Sequence, residues 1–267
     1  MRIAVDARLN AYRQAGIAQY TRQLLGAMVE QARDDQFFVL QHHSQQRSLV
    51  SAPNVERVPM FTPPHHRLER WALPLEVLRL RPALLHCPDF VAPRLRPWPA
   101  AVTIHDLAFL HYPAILDDNA RAYYGQVEAS ARRAEAIIAV SQATRADIVE
   151  RLGIAPERVD VVYEAVAPTM TRIAIADEPE RDVRDVTLAA GTFLLFVSTI
   201  EPRKNLVTLF EALRLCLDRR PDVPYRLVLA GARGWHDEPI LARMHELHLE
   251  QAVTLLGKVD DDDLRWL

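Results

Sequence analysis

Arg203 and Lys204 are adjacent cations in the run Ser198-Thr199-Ile200-Glu201-Pro202-Arg203-Lys204-Asn205, between an apolar segment, Phe193 to Val197, and a segment of helical period, Leu206 to Asp218. Two cations beside the free amides of a helix start make an anion site, with the guanidinium as a planar fork of donors and the ammonium as a compact point charge. Together they suit a diphosphate. The competing reading is a solvated first turn, but cations there oppose the helix dipole, so an unliganded pair is locally unfavourable. Of the 32 basic residues only Lys204 and Lys258 are lysines, which makes a retained lysine informative. Glu201 is counted with this ligand-binding loop in a shaping role rather than a reacting one.

The same rule, that ligands of open α/β sheets meet the carboxyl ends of strands, selects three further places. His105-Asp106 follows the short apolar run Ala101 to Ile104. There Asp106 either satisfies turn amides while His105 packs, or the pair meets a ligand, Asp106 as a binding residue and the histidine donating a hydrogen bond or moving a proton. Ser141 follows Ala136 to Val140, where it is a helix cap that can also face a ligand. Gly231 and Gly234, in Ala-Gly-Ala-Arg-Gly-Trp, make a tight turn after Leu227 to Ala230. Gly16, just before a helical segment, lets backbone amides approach a phosphate or a sugar ring without a Cβ in the way, although an ordinary helix-start glycine reads the same.

Metal chemistry finds no such pattern. His42-His43 and His65-His66 lie in polar or proline-rich loops without ligand spacing, and Cys87 and Cys216 read as small buried hydrophobes, so no metal is assigned. A dinucleotide-dependent oxidoreductase is disfavoured because no Gly-x-Gly-x-x-Gly follows Val5 or Val197.

The elements that must hold these residues alternate. Arg2 to Ala7 reads as a strand, and Ile17, Tyr20, Leu24 and Met28 recur at helical spacing. Phe37 to Leu40, Val55 to Val58, Leu84 to His86, Ala101 to Ile104, Ala136 to Val140 and Val159 to Val162 read as further strands. Helices are expected over 68–80, despite Pro74, over 117–135 and over 144–152, with Gly153 closing the last. From Thr169 to Ala190 the periodicity is lost. A second strand, helix, strand series then runs from Phe193 to Leu255. The fold expected is α/β, two doubly wound domains with mainly parallel sheets: residues 1–166, a linker at 167–190, and residues 191–267. Only about three strands of the second sheet are present where such sheets usually have five or six, and Asp260 to Asp263 open a new helix just before Leu267, so the second domain is expected to be truncated.

Composition bounds the function. With 49% apolar and 25% charged residues over 267 positions, disorder and collagen are excluded, and no run approaches the roughly 20 apolar residues of a membrane span. The start lacks the apolar run of a signal peptide, so the expected location is cytoplasmic. Thirty-two basic against 35 acidic residues leave a formal charge of −3, without the global field that recruits nucleic acid. The 63–80 segment combines His, Arg, Trp71 and leucines. It is read as a core helix, with a peripheral contact at the inner membrane face as the second expectation.

The segment FVSTIEPRKNLVTLFEAL, with RLVLAGARG after it and AVSQATRADIVERLGIAPERVDVVYEAV before it, resembles the retaining nucleotide-sugar-dependent glycosyltransferases built from two Rossmann-like domains, bacterial mannosyltransferases of surface-polysaccharide assembly in particular. The similarity runs from Arg2 to the end of the chain. It implies that Arg203 and Lys204 hold the donor diphosphate and that His105 lies against the donor sugar and phosphate. It also implies transfer of a hexose such as mannose from a nucleoside-diphosphate sugar to a saccharide or lipid-linked acceptor, with retention, in a cleft between the domains. The nucleotide sugar is then a substrate, and no cofactor is expected. Relatives often carry a glycine two positions after Gly16, where this chain has Ala18. The glutamate pair with which the family holds the donor ribose and sugar falls beyond Leu267. The alternatives are a sugar-nucleotide epimerase of the same architecture and a non-catalytic binding or scaffold fragment.

Overall fold

The computed structural model describes residues 1–12, 16–64, 69–112, 121 and 123–267. The His65-His66 pair, the start of the helix expected over 68–80 and positions 117–120 of the helix expected over 117–135 lie outside the described residues. The chain divides into two units, Met1–Ala165 and Val166–Leu267.

The first unit runs β1 (Arg2–Asp6), α1 (Gly16–Gln31), β2 (Gln36–His42), β3 (Val55–Met60), α2 (Glu69–Leu78), β4 (Leu84–Cys87), β5 (Ala100–Ile104), α3 (Ala108–His111), α4 (Val127–Arg133), β6 (Ala136–Ala139), α5 (Gln142–Leu152) and β7 (Val159–Val161). Among the described residues its strands form one parallel sheet in the order β3-β2-β1-β4-β5-β6-β7. Side chains alternate across a strand, and β1 uses both faces. Ala4 joins Leu73, Val77, Leu85 and Val102 in one apolar cluster, while Ile3 and Val5 join Leu25, Val29 and Phe37 in the other. Burial on both faces explains why these strands read as continuous apolar runs. The strand order reverses at β1 and β4, so the loops leaving their carboxyl ends diverge and leave room above the sheet.

Two helix ends follow directly from residue type. Ser141 Oγ accepts from the Thr144 amide at 3.0 Å and opens α5, and Gly153, at φ 61°, closes it in the left-handed conformation. In α2, Pro74 removes one backbone hydrogen bond, and full burial of Leu73 and Val77 on either side of it offsets the loss.

The second unit contains β8 (Glu180–Val183), β9 (Val186–Ala189), β10 (Leu194–Val197), α6 (Leu206–Arg219), β11 (Leu227–Ala230), α7 (Glu238–Glu246), β12 (Val253–Gly257) and α8 (Asp261–Trp266). Strands β10, β11 and β12 are parallel neighbours in chain order. Leu227 and Leu229 pack with Phe210 of α6 and Met244 of α7 on one face; Val228 and Ala230 pack on the other with Val183, Leu188 and Leu256. The expected linker at 167–190 is corrected here. Its second half is the antiparallel hairpin β8-β9, whose Val183 and Leu188 are fully buried in the second core. The charged Asp-Glu-Pro-Glu stretch masks this, because only one residue of each short strand points inward.

Candidate functional site

In the first unit the loops at the carboxyl ends of β1, β4, β5 and β7 carry polar groups. Arg8, fully buried, follows β1. Its guanidinium donates to both Asp6 carboxylate oxygens, at 2.8 and 2.6 Å, to the Thr62 carbonyl at 2.9 Å, and to Glu69 at the start of α2. Burial opposes the Arg8 charge, but Asp6 and Glu69 outweigh it and raise the pKa above its ordinary value. The ion cluster thus ties the β1 loop, the β3 loop and α2 together. Asp6, Glu69, Cys87, Asp89 and Tyr123 line a pocket directly over the divergence of β1 and β4. There the Tyr123 hydroxyl donates to Asp89 Oδ2 at 2.6 Å, and burial together with that carboxylate drives its pKa up.

His105 follows β5 with only 16% of its side chain exposed. Nδ1 faces Glu164 Oε1 at 2.9 Å, and Nε2 faces the Pro88 carbonyl, also at 2.9 Å. Tyr20 of α1 stands edge-on to the ring at 4.8 Å, and the His105 carbonyl accepts from Thr144 Oγ1 at 3.1 Å. A neutral imidazole has one N–H and can donate to only one of these oxygens, whereas an imidazolium donates to both. Either way, the ring is aimed by its neighbours, and Nε2 reaches a ligand by leaving the Pro88 carbonyl.

The other candidates in this unit have defined partners. Asp106 Oδ1 accepts from the Ala108 amide at 3.0 Å, which is the turn-satisfying alternative; Ser141 is the α5 cap described above. Gly16 opens α1 after residues 13–15, which are not described. A Cβ at Gly16 would meet nothing within 4 Å, so packing does not demand glycine there.

In the second unit the order Arg203, Lys204, helix differs in one respect from the expectation. The two cations lie in a separate 3-10 turn, Pro202–Lys204, and Asn205, at φ 53°, redirects the chain into α6. Proline at the head of the turn and a left-handed asparagine at its end interrupt the helix that the charges were expected to begin. Glu201, buried, holds the Arg203 guanidinium and accepts the Lys204 amide on its carbonyl at 3.0 Å. Among the described residues the Lys204 ammonium has no ion-pair partner, although this unit is rich in Arg–carboxylate pairs.

Gly231, read from the sequence as part of a ligand-side turn, holds this loop in place. Its amide is used on the Gly257 carbonyl at 2.8 Å, and at φ 153° a Cβ would stand 2.0 Å from the Ser198 carbonyl oxygen. Ile200 bridges to Arg233, and Gly234 packs against Thr199 and Ile200. Only glycine permits the two loops to approach this closely.

Glu164, Arg8 and Tyr123 were not singled out from the sequence. Glu164 and Arg8 were nevertheless within reach of the rule that selected His105, since each follows a strand's carboxyl end. Among the described residues no group of three or more His, Cys, Asp or Glu is placed to hold a metal ion.

The model of Glycosyltransferase Family 4 matches residues 15–169, more than half of the chain. The chain belongs to glycosyltransferase family 4. Residues 180–267 of this family 4 chain match the model of Glycosyl transferases group 1. It is 28% identical over 204 residues to O-antigen chain mannosyltransferase B of Escherichia coli, covering 76% of this chain and 52% of that protein. It is 33% identical over 172 residues to the serotype-specific mannosyltransferase WbdA of Escherichia coli, covering 63% and 21%. The chain therefore spans about half, or less, of the curated relatives it matches. Among solved structures, Anabaena HepE in complex with UDP and glucose has a TM-score of 0.65 at 17% identity, covering 99% of this chain and 71% of that one. WaaG, a glycosyltransferase involved in lipopolysaccharide biosynthesis, has a TM-score of 0.66 at 13% identity, covering 99% and 72%. These likenesses establish the two-domain α/β fold with mainly parallel sheets. No described helix is long and apolar enough to cross a membrane.

Proposed function

We propose that this family 4 glycosyltransferase moves a hexose, mannose foremost, from a nucleoside-diphosphate sugar to a saccharide or lipid-linked saccharide with retention of configuration. The observation that carries the reading is Lys204, a cation without an ion-pair partner among the described residues, on a loop held in place by Glu201, Ile200 and the Gly231 contact with Ser198. The difficult event in such a transfer is departure of the nucleoside diphosphate, and a fixed cation at the developing phosphate charge lowers that barrier. Lys204 and Arg203 take this role without a metal ion, and Glu201 sets the angle of the arginine. In the first unit His105 meets the transferred hexose or its phosphate through Nε2, and the amides at Gly16 assist an oxygen anion.

Mannose is favoured because the Escherichia coli relatives are named as mannosyltransferases. The polysaccharide acceptor follows from the same relatives, and its lipid-linked form implies work at the inner membrane face.

The test is incubation with a panel of radiolabelled nucleoside-diphosphate hexoses, with and without saccharide acceptors, and determination of the product's anomeric configuration by NMR. Acceptor-dependent transfer with retention is expected. Conversion of the nucleotide sugar without acceptor identifies an epimerase instead, and binding without turnover identifies a non-catalytic protein.

A further inference from the structure

Four rings stand in succession along the carboxyl edge of the first sheet. Phe61 follows β3, His42 ends β2 with His43 next to it, and Tyr12 follows the 3-10 turn Arg8–Ala11 that leaves β1. Ring centroids are 5.0 Å apart from Phe61 to His43, 4.3 Å from His43 to His42 and 5.1 Å from His42 to Tyr12. The spacing follows from the sheet, whose neighbouring strands lie about 4.8 Å apart. Phe61 is 68% and Tyr12 53% exposed, and His43 is exposed as well, with the buried His42 linking them.

Backbone bonds hold the row in place. The amides of Phe61 and Thr62 donate to the Glu76 carboxylate of α2 at 2.7 and 2.9 Å, the His43 amide to the Met60 carbonyl at 2.9 Å, and the Tyr12 amide to the Leu9 carbonyl at 3.0 Å. His42 Nδ1 faces Ser44 Oγ at 2.7 Å, and burial lowers the pKa of this ring, which is therefore neutral at about pH 7. Beside the row Ser44, Gln45, Gln46, Arg47 and Ser48 line an open hollow.

Exposed rings next to hydroxyl and amide side chains suit one ligand chemistry. A pyranose offers an apolar C–H face to a ring and hydroxyls to the polar groups beside it. A single-stranded nucleic acid also stacks on aromatic rings, but it needs a basic groove for its phosphates, and Arg47 is the only arginine or lysine between His42 and Leu49. Position adds a direction. In the strand order β3-β2-β1-β4-β5 the row covers the first three carboxyl ends, the pocket over β1 and β4 comes next, and His105 follows β5. Leu9, whose carbonyl holds Tyr12, lines that pocket. A chain of sugars whose reacting end lies near His105 has a continuous path outward to Phe61.

We propose that Tyr12, His42, His43 and Phe61 form a stacking track for a neutral saccharide chain, the sugars that lie behind the reacting end of the acceptor. The proposal deepens the reading of a saccharide acceptor and rests on it. Its consequence is a preference for an acceptor several sugars long over a single sugar.

The experiment is titration of the purified chain, without nucleotide sugar, with mannose, with linear hexasaccharides of mannose and of glucose, and with hexathymidylate, followed by ligand-observed NMR. A hexasaccharide is expected to bind at least roughly tenfold more tightly than mannose, and Tyr12→Ala/Phe61→Ala to weaken it by roughly tenfold. His43→Ala alone is expected to weaken it severalfold, so a double variant that melts early does not end the test. Trp71→Ala removes an exposed ring outside the row and is expected to bind as wild type. The proposal is overturned when neither hexasaccharide binds more tightly than mannose, when the row variants bind as wild type, when Trp71→Ala loses as much as they do, or when hexathymidylate binds more tightly than both hexasaccharides. Donor is absent throughout, so a chain that binds a hexasaccharide through the row but transfers no hexose upholds this proposal and refutes the proposed transfer. Transfer by a chain that ignores acceptor length does the reverse.

Discussion

Nδ1 of His105 lies 2.9 Å from the carboxylate of Glu164, while Nε2 of the same ring lies 2.9 Å from the Pro88 carbonyl oxygen. The ring is thus held from both sides, and only the Nε2 contact can be exchanged for a ligand without releasing the carboxylate. Glu164 is a positioning residue in this arrangement. His105→Ala is expected to lower transfer by roughly 10²-fold or more. Glu164→Ala should cost roughly tenfold in kcat with KM little changed, and Glu164→Gln less, because an amide oxygen still accepts the Nδ1 proton. The Glu164 side chain is 49% exposed, so its removal should leave thermal stability unaltered. Equal kcat and identical pH profiles for wild type and Glu164→Ala would reduce the pair to a surface contact.

Lys204 and Arg203 are adjacent but not equivalent. The Arg203 guanidinium is partly neutralised by Glu201, whereas the Lys204 ammonium has no ion-pair partner among the described residues. Lys204→Ala is therefore expected to lower turnover by roughly 10²-fold, and Arg203→Ala by less. Steady-state kinetics at saturating donor decide the order. An unchanged rate for Lys204→Ala would remove the basis of the proposed function.

The two candidate glycines should respond in opposite ways. Gly231→Ala places a methyl group against the Ser198 carbonyl and should lower the stability of the second unit by about 3 kcal/mol or more, seen as a fall in its urea midpoint, whatever it does to activity. Gly16→Ala has open space and a helix-start position, so its stability should match or slightly exceed wild type. A selective loss of transfer in folded Gly16→Ala would locate a substrate oxygen near that backbone. Normal transfer would leave Gly16 an ordinary helix start.

His86 gives the first unit an acid limit. Burial pushes its pKa down from 6.5 to about 4, and Nε2 contacts Thr103 Oγ1 at 3.1 Å. The unfolded chain gains a proton on His86 below pH 6.5 while the folded chain stays neutral to about pH 4. Its contribution is thus complete above pH 6.5 and lost as pH falls toward 4, by roughly 3 kcal/mol in all. Urea unfolding of wild type and His86→Asn at about pH 7 and about pH 4.5 should show the steeper acid loss in wild type. Parallel losses would place the acid sensitivity elsewhere.

Much of the framework is legible in the sequence because parallel strands buried on both faces leave uninterrupted apolar runs, as in Ala136 to Val140, and because Ser141 and Gly153 mark helix ends by residue type alone. The hairpin at 180–189 is not, since its inward residues, Val183 and Leu188, are isolated among charges. The loop of Arg203 and Lys204 stands out by its adjacent cations, but the 3-10 turn that separates them from α6 depends on Pro202 and Asn205 acting together. Arg8 and Glu69 are 61 positions apart, and Glu164 is 59 from His105. Pairings at that separation exist only once the strand order has brought the loops together, so no local pattern announces them. Gly231 is visible as a glycine, yet its close approach to Ser198 is a fact of tertiary contact.

That contact also bears on the thermodynamics of ligand capture in the second unit. Ser198 donates to the Ala230 carbonyl at 3.1 Å, Ile200 to Ala232 at 3.0 Å, Gly234 to Ile200 at 3.1 Å and Asn205 to Pro202 at 3.1 Å, so the backbone is tied by hydrogen bonds on both sides of Lys204. With Gly231 locked against Ser198, little chain entropy is left for an arriving anion to remove; the main degrees of freedom still to be quenched are the torsions of one lysine side chain. Association at this loop should accordingly be a docking onto a finished surface, with a modest entropic penalty and a rate set by encounter rather than by loop rearrangement.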